Sequence, residues 1–520
     1  MKISLPWLSI IIWLPIIAGI LLLFLQKMKA IANITRFLPL ITAIVTLLPI
    51  YYVLQNFTLG TGNMQFTELH NWLPTLGIQY ALGVDGFAIL LVALTVFMTL
   101  LVVIAGFNQV KKDIYLQYCA NFLIMQGLMC GVFLALDAIL FYVFFEAMMI
   151  PMFLLIGLWG SANRIYATFK FILYTLFGSL FLLVALLYLN HVAVHVAGLS
   201  QLESFRIANL QGLPLELTAQ KWLFAAMLLA FAIKIPMWPV HTWLPDAHVE
   251  APTGGSMILA AIMLKMGGYG ILRFLLPMLP AACDFYANFV IALSLVAIVY
   301  IGLVSIVQKD LKKLIAYSSI AHMGFVTLGL FLTCKIVIHS DYKNSALGID
   351  GAVLQMLSHG FISAALFFCV GILYVRLHTR QISDYGGVVN TMPIFASFLM
   401  LFALANVGMP GTFGFVGEFF IILLSFKISF WVALLAGLSL ILGVAYTLWM
   451  YKRVVFGTVA NDAVAGLQDL AINEKIVCML LAGAILLFGI WPNPLLNILR
   501  GSSQQLISQL HKSTVGQVKL

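Results

Sequence analysis

The sequence predicts an all-α polytopic membrane protein of about fourteen transmembrane helices, and three observations predict it. Of the 520 residues, 63% are hydrophobic and only 9% are charged, whereas a soluble domain carries about 25% charged residues. Mainly apolar stretches of roughly 20 residues, the length a bilayer requires, recur along the whole chain. Lysine and arginine concentrate in alternate loops, the pattern that sets membrane topology.

The apolar stretches fall at 7–25, 37–55, 84–106, 115–134, 138–158, 170–190, 222–244, 254–276, 287–307, 314–333, 352–375, 393–425, 429–450 and 474–492. The first opens like a signal peptide, but its run is too long and no small-residue cleavage site follows it. It reads as a retained span. Loops after odd-numbered spans hold fourteen basic residues: Lys27, Lys29, Arg36, Lys111, Lys112, Arg164, Lys170, Lys309, Lys312, Lys313, Arg376, Arg380, Lys452 and Arg453. Loops after even-numbered spans hold five: Arg206, Lys221, Lys335, Lys343 and Lys427. The bias puts odd loops in the cytoplasm and both termini outside. It also assigns the net charge of +9 to topology rather than to nucleic acid.

No soluble domain interrupts the spans. The longest connecting stretches are 56–83, 191–221 and 451–473. Residues 464–472 are short and amphipathic, and read either as an interfacial helix or as an ordinary polar loop with a helical turn. Cys119, Cys130, Cys283, Cys334, Cys369 and Cys478 are scattered singly. That spacing suggests neither cluster ligands nor a disulfide framework.

Most of the 45 charged residues lie in loops or at span ends, but Glu146, Lys234, Lys265 and Glu418 lie inside spans. Each costs about 2.5–3.5 kcal/mol at the bilayer centre even on a lenient scale, and such residues mark ion or proton pathways. The bland alternative is a pair that merely orients helices, and buried pairs are a poor route to stability. Lysine suits a proton carrier. A fully buried lysine can fall from a reference pKa near ~10.4 to about 5–6, and a carboxylate moving closer raises it again. His322 and His359, in spans ten and eleven, add groups that titrate near neutrality. A lone helical histidine is more often structural, but two in adjacent spans beside buried charges point to a relay.

Two spans should be broken. Span seven reads FAIKIPMWPVHTWLPDAH, with Pro236 and Pro239 after Lys234. Each proline lacks an N–H and displaces the carbonyl four residues earlier, so Ala232 and Ile235 should have free carbonyls beside the lysine. Span twelve reads LANVGMPGTFGFVGEFF, where Pro410 and three nearby glycines interrupt the helix before Glu418. Irregular backbone at membrane depth is tolerated only inside protein or against a water-filled cavity. Paired interrupted spans also signal inverted repeats. Glu146 to Pro236 spans 90 residues and His322 to Pro410 spans 88, so spans 4–8 and 9–13 read as two inverted five-helix repeats. Pro151 should free the Ala147 carbonyl near Glu146 in the same way.

The forty residues 234–273, KIPMWPVHTWLPDAHVEAPTGGSMILAAIMLKMGGYGILR, resemble the signature of the proton-pumping, antiporter-like subunits of respiratory complex I, the proton-translocating NADH–quinone oxidoreductase. The resemblance extends over the whole chain and favours the M branch. L and N branches usually carry lysine where this chain has Glu418, and the L branch continues into a long lateral helix. The resemblance implies a fourteen-helix core with discontinuous seventh and twelfth helices and a half-channel in each repeat. It implies that Glu146 pairs with Lys234, that Lys265 is the central lysine, that Glu418 ends the second half-channel, and that His322 and His359 lie on the axis between. Asp137 and His241 are secondary candidates.

The same resemblance places the chain in a bacterial inner membrane beside L-, N- and K-type neighbours. It divides the chain into 1–110, repeats at 111–280 and 285–460, and a remainder at 461–520. The sequence holds no Gly-rich dinucleotide loop, flavin motif or cluster ligands. No cofactor or metal is therefore expected in this chain. NADH, quinone, FMN and iron–sulfur clusters belong on that reading to partner subunits. Subunits of multi-subunit cation/proton antiporters and of membrane-bound hydrogenases are the rival readings, since the four charges would serve them equally.

Overall fold

Helix is forced wherever the chain meets lipid, because no water is there to hydrogen-bond free backbone groups. The computed structural model describes residues 5–25, 37–112, 114–339 and 346–517; Lys2, Lys27, Lys29, Arg36 and Lys343 lie outside the described residues. Thirteen described helices are long and apolar enough to cross a membrane. They are Trp7–Leu25, Leu38–Gln55, Gly86–Phe107, Tyr115–Leu134, Ala138–Trp159, Arg164–His195, Leu217–Lys234, Thr253–Met278, Pro280–Ile306, Leu311–Ile338, Ala346–Leu377, Phe430–Val455 and Ile472–Ile490. The fourteenth is split into Pro393–Asn406 and Phe413–Ile428, each too short alone. It takes twelfth place, so the expected fourteen spans and the broken twelfth are both present.

Burial sorts the spans into a centre and a rim. The most apolar window of span eight is 100% buried, while that of span thirteen is 28% buried and faces outward. Glycine sets how closely the central helices approach. A Cβ on Gly267 would lie 2.7 Å from the Phe231 carbonyl oxygen, and one on Gly268 would lie 2.5 Å from the Met356 sulfur. Just after Lys265, span eight therefore packs backbone-close on span seven and receives the Met356 side chain of span eleven.

The breaks fall where the prolines predict. Span seven stops at Lys234, turns through Ile235–Thr242 with a cis Trp238–Pro239 bond, and resumes as Trp243–Glu250. Span five bends between Ala138–Ala147 and Met149–Trp159, since Pro151 has no N–H for the Ala147 carbonyl. Span twelve breaks between Asn406 and Phe413, with Gly408 at φ 77° and Gly411 at φ 89°. Only glycine adopts those angles without strain.

Three of the non-spanning stretches carry structure that hydropathy does not specify. Residues 56–83 are not all irregular: strands β1, Gln65–Leu73, and β2, Ile78–Val84, pair antiparallel from Gln65↔Val84 to Leu73↔Ile78. Gly77 at φ 74° closes the turn. Beyond span fourteen the chain forms a 25-residue helix, Asn493–Gln517, that buries Ser502, Ser503, Leu506 and Leu510 against the bundle. Pro494 lies in its first turn, where proline's missing N–H has no helical partner to lose. Of the two readings of residues 464–472, the polar loop with a helical turn is the one present. A single turn at Asp462–Ala465 precedes a loop whose Gln468 and Asp469 carbonyls accept hydrogen bonds from Arg376.

Candidate functional site

Glu418 lies in the second turn of Phe413–Ile428, buried against span eleven. The missing side chain at Gly417 allows the approach, for a Cβ there would lie 2.7 Å from the Gln355 nitrogen. Gln355 Nε2 donates to Glu418 Oε1 at 3.1 Å. His322 Nδ1 lies 2.7 Å from the same oxygen, with both side chains largely withdrawn from solvent. A pocket of about 10 Å³ sits between His322, His359, Ser358 and Glu418, close to the volume that admits one water.

Lys265 lies on the wholly buried span eight, between two segments of wider π-helical winding, Leu259–Met263 and Ile271–Leu275. Its Nζ donates to the Ala260 carbonyl at 2.6 Å and lies 2.6 Å from His359 Nδ1. The rings of His359 and His322 stand 5.8 Å apart. Four of the residues singled out in the sequence thus form one file: Lys265, His359, His322, Glu418. Two hydrogen-bonded pairs face each other across the two imidazoles.

Glu146 and Lys234 are neighbours but not a closed pair. Among the described residues, neither Lys234 Nζ nor Glu146 Oε1 has a hydrogen-bond partner. The lysine is buried, with Nζ 4.6 Å from the Phe145 ring centre. Glu146 is half-buried beside an open groove formed by Tyr142, Ile150 and Ile172. The expected free carbonyl at Ala232 is not free, because the turn folds back and Met237 N–H donates to it at 2.7 Å. The indole of Trp243 takes the Ile233 carbonyl at 2.9 Å.

The secondary candidates sit apart from the file. Asp137 caps span five, accepting from the N–H groups of Ile139 and Leu140 and from Gln79 N–H. Burial pushes its carboxyl up to about 6, against the pull of those N–H groups and of Arg206. His241 is buried in the span-seven break, and its Nδ1 has no described partner.

Charge burial is wider than the four residues expected. Asp85, Glu250, Asp310, Lys312 and Glu474 are also buried, because span ends fold inward and pair. Lys312 donates to the Ala251 carbonyl at 2.7 Å. Arg380 Nε lies 3.3 Å from Asp310, and Arg376 lies 2.7 Å from Glu474. The sequence reading missed Gln355 and His248. His248 is fully buried, stacks on Phe367 at 4.4 Å, and neither ring nitrogen has a described partner. Its signal was available, as a histidine inside the broken seventh helix.

Residues 135–443 match the family model described as "NADH:quinone oxidoreductase/Mrp antiporter, TM". The chain is 46% identical to the NADH-quinone oxidoreductase subunit M of Rhodobacter capsulatus, over 97% of both chains. The chain belongs to the NADH-quinone oxidoreductase subunit M family. Its fold agrees with that membership. A chain of respiratory complex I from Thermus thermophilus superposes with a TM-score of 0.85 at 30% identity, covering 97% of this chain and 99% of that one. A chain of the Mrp complex from Dietzia shares the fold alone, with a TM-score of 0.79 at 19% identity over 98% and 100% of the two chains. As a subunit M family member, this chain carries its file of ionisable groups inside a multi-pass membrane bundle. Among the described residues, no three His, Cys, Asp or Glu side chains cluster as metal ligands.

Proposed function

We propose that this chain translocates protons as a membrane-arm subunit of an NADH–quinone oxidoreductase. The observation that carries the reading is the buried file Lys265–His359–His322–Glu418, with both hydrogen-bonded contacts at 2.6–2.7 Å. Each member has a protonated and an unprotonated form and can donate or accept across such a contact. A proton leaving the Lys265 ammonium enters the His359 ring, passes to His322 and neutralises Glu418. Glu146 loads Lys234 by approaching it and unloads it by withdrawing, and the open spacing of the two side chains leaves room for that motion.

On this reading NADH oxidation, quinone reduction, FMN and the iron–sulfur clusters reside in partner subunits, with L-, N- and K-type chains adjacent. The membrane is the bacterial inner membrane, with both termini on the periplasmic side as the loop charges predict. Segments 111–280 and 285–460 act as two inverted half-channels, flanked by 1–110 and 461–520, and each contains one broken helix. The test is NADH-driven proton uptake in Glu146→Ala and Lys234→Ala. Both should lose uptake, and full uptake in an assembled complex overturns the reading. The likeness of fold to the Mrp complex keeps a cation/proton antiporter as the second reading. Purification with partners that shows no flavin or iron–sulfur absorbance would favour it.

A further inference from the structure

Asp85 and Arg273 form a buried ion pair at the opposite end of span eight from Lys312. Arg273 Nη2 lies 2.7 Å from Asp85 Oδ2, with side chains 11% and 3% exposed. Asp85 also caps span three, accepting from Ala88 N–H at 2.9 Å. Between this pair and Lys265 stands Tyr269, itself buried. Its hydroxyl donates to the Phe133 carbonyl at 2.7 Å and accepts from Arg273 Nε at 3.1 Å. Phe133 is in the last turn of span four, where carbonyls have no helical partner. Lys265, Tyr269 and Arg273 recur every four residues and share one helix face, each about 6 Å further along the axis.

The pair is the floor of a cavity of about 570 Å³, whose other charged walls are Glu68, Arg206 and Lys512. The cavity opens on the face that carries the loops after even-numbered spans. Arg273 lies in the π-wound segment Ile271–Leu275, and such bulges recur at functional sites. A strut that only tied span three to span eight would need neither a hydroxyl behind it nor a cavity in front.

We propose that Asp85–Arg273 is the gate of a proton route that runs along span eight from Lys265 past Tyr269 to this cavity. The proposal rests on the proton-translocation reading above. The path forks at Lys265: when the ammonium leaves its contact with His359, it gives up its proton toward Tyr269 instead and becomes an amine. The Tyr269 hydroxyl passes a proton on and regains one. Asp85, released from Arg273, accepts the proton as a carboxylic acid and yields it to the cavity. Arg273 remains a cation throughout and closes the gate by recapturing the carboxylate.

The experiment measures proton uptake per NADH oxidised in the intact complex, in sealed membranes, for Tyr269→Phe, Asp85→Asn, Asp85→Glu and Lys234→Ala. The gate predicts a loss of uptake per NADH in Tyr269→Phe and Asp85→Asn, with recovery in Asp85→Glu. A purely structural pair predicts less assembled complex at an unchanged ratio. A parental ratio in Tyr269→Phe overturns the proposal even where Asp85→Asn does not assemble. Lys234→Ala separates the two failures. If it abolishes uptake while Tyr269→Phe is normal, only the gate falls. If it also pumps normally, the underlying reading falls.

Discussion

His322 Nδ1 and Glu418 Oε1, 96 positions apart in the chain, stand 2.7 Å apart inside the bundle. One imidazole and one carboxylate thereby join span ten to the broken half of span twelve. The glutamate has a second donor in Gln355. Replacing His322 with alanine should leave the buried Glu418 carboxyl with one partner fewer, a loss of about 1–3 kcal/mol. Thermal unfolding of the purified complex reads the loss. Glu418→Gln, which keeps the shape, should stop proton uptake with a smaller stability change.

Lys265 and His359 share one contact at 2.6 Å. Single substitutions Lys265→Ala and His359→Ala should each depress proton uptake, and the double variant should be little worse than either. Groups acting through one contact are not additive. Full additivity of the two losses would show that they work on separate routes.

Gly267→Ala should destabilise the protein by about 1–3 kcal/mol, as overpacking does. The new methyl would meet the Phe231 carbonyl oxygen and the Ile235 side chain at 2.7 Å. Gly483→Ala, in the outer span fourteen, meets nothing within 4 Å and should be neutral or stabilise by up to about 1 kcal/mol. The melting temperature of Gly267→Ala should fall, while that of Gly483→Ala should hold or rise.

Burial holds the Asp137 carboxyl at about 6 in the folded protein, above its ordinary 3.8. The folded state therefore binds this proton more tightly than the unfolded chain. The associated stability is full below pH about 4 and is lost as pH rises through about 6. Asp137→Asn keeps an oxygen to cap span five and removes the titration. Its melting temperature should fall less between pH 5 and pH 7 than that of the parent. Parallel pH profiles would refute the assignment.

Local pattern carried much of the fold because its causes are local. Apolar runs of bilayer length read as spans, and Pro236, Pro151 and Pro410 placed the breaks by removing N–H groups from their own helices. The β1–β2 hairpin was missed because its sequence, QFTELHNWL, mixes apolar and polar residues without alternation. The pairing that forms it is made across the Gly77 turn and against the ends of neighbouring spans. Arg273 and Lys312 were missed for a related reason. They sit at span ends, where sequence position alone suggests solvent, and only the inward fold of the loops buries them.

By itself the sequence determined fourteen spans, their two interruptions, and Glu146, Lys234, Lys265 and Glu418 as charges inside an apolar chain. These follow from hydropathy and backbone chemistry over a few turns of helix. The tertiary structure decided which charge meets which group. It joined Lys265 to His359 and Glu418 to His322, left Glu146 and Lys234 open, and stacked span eight on spans seven and eleven through Gly267 and Gly268. Those choices depend on close packing between helices nearly a hundred residues apart, where a missing methyl or a bent carbonyl settles the register. No periodicity within one helix records that.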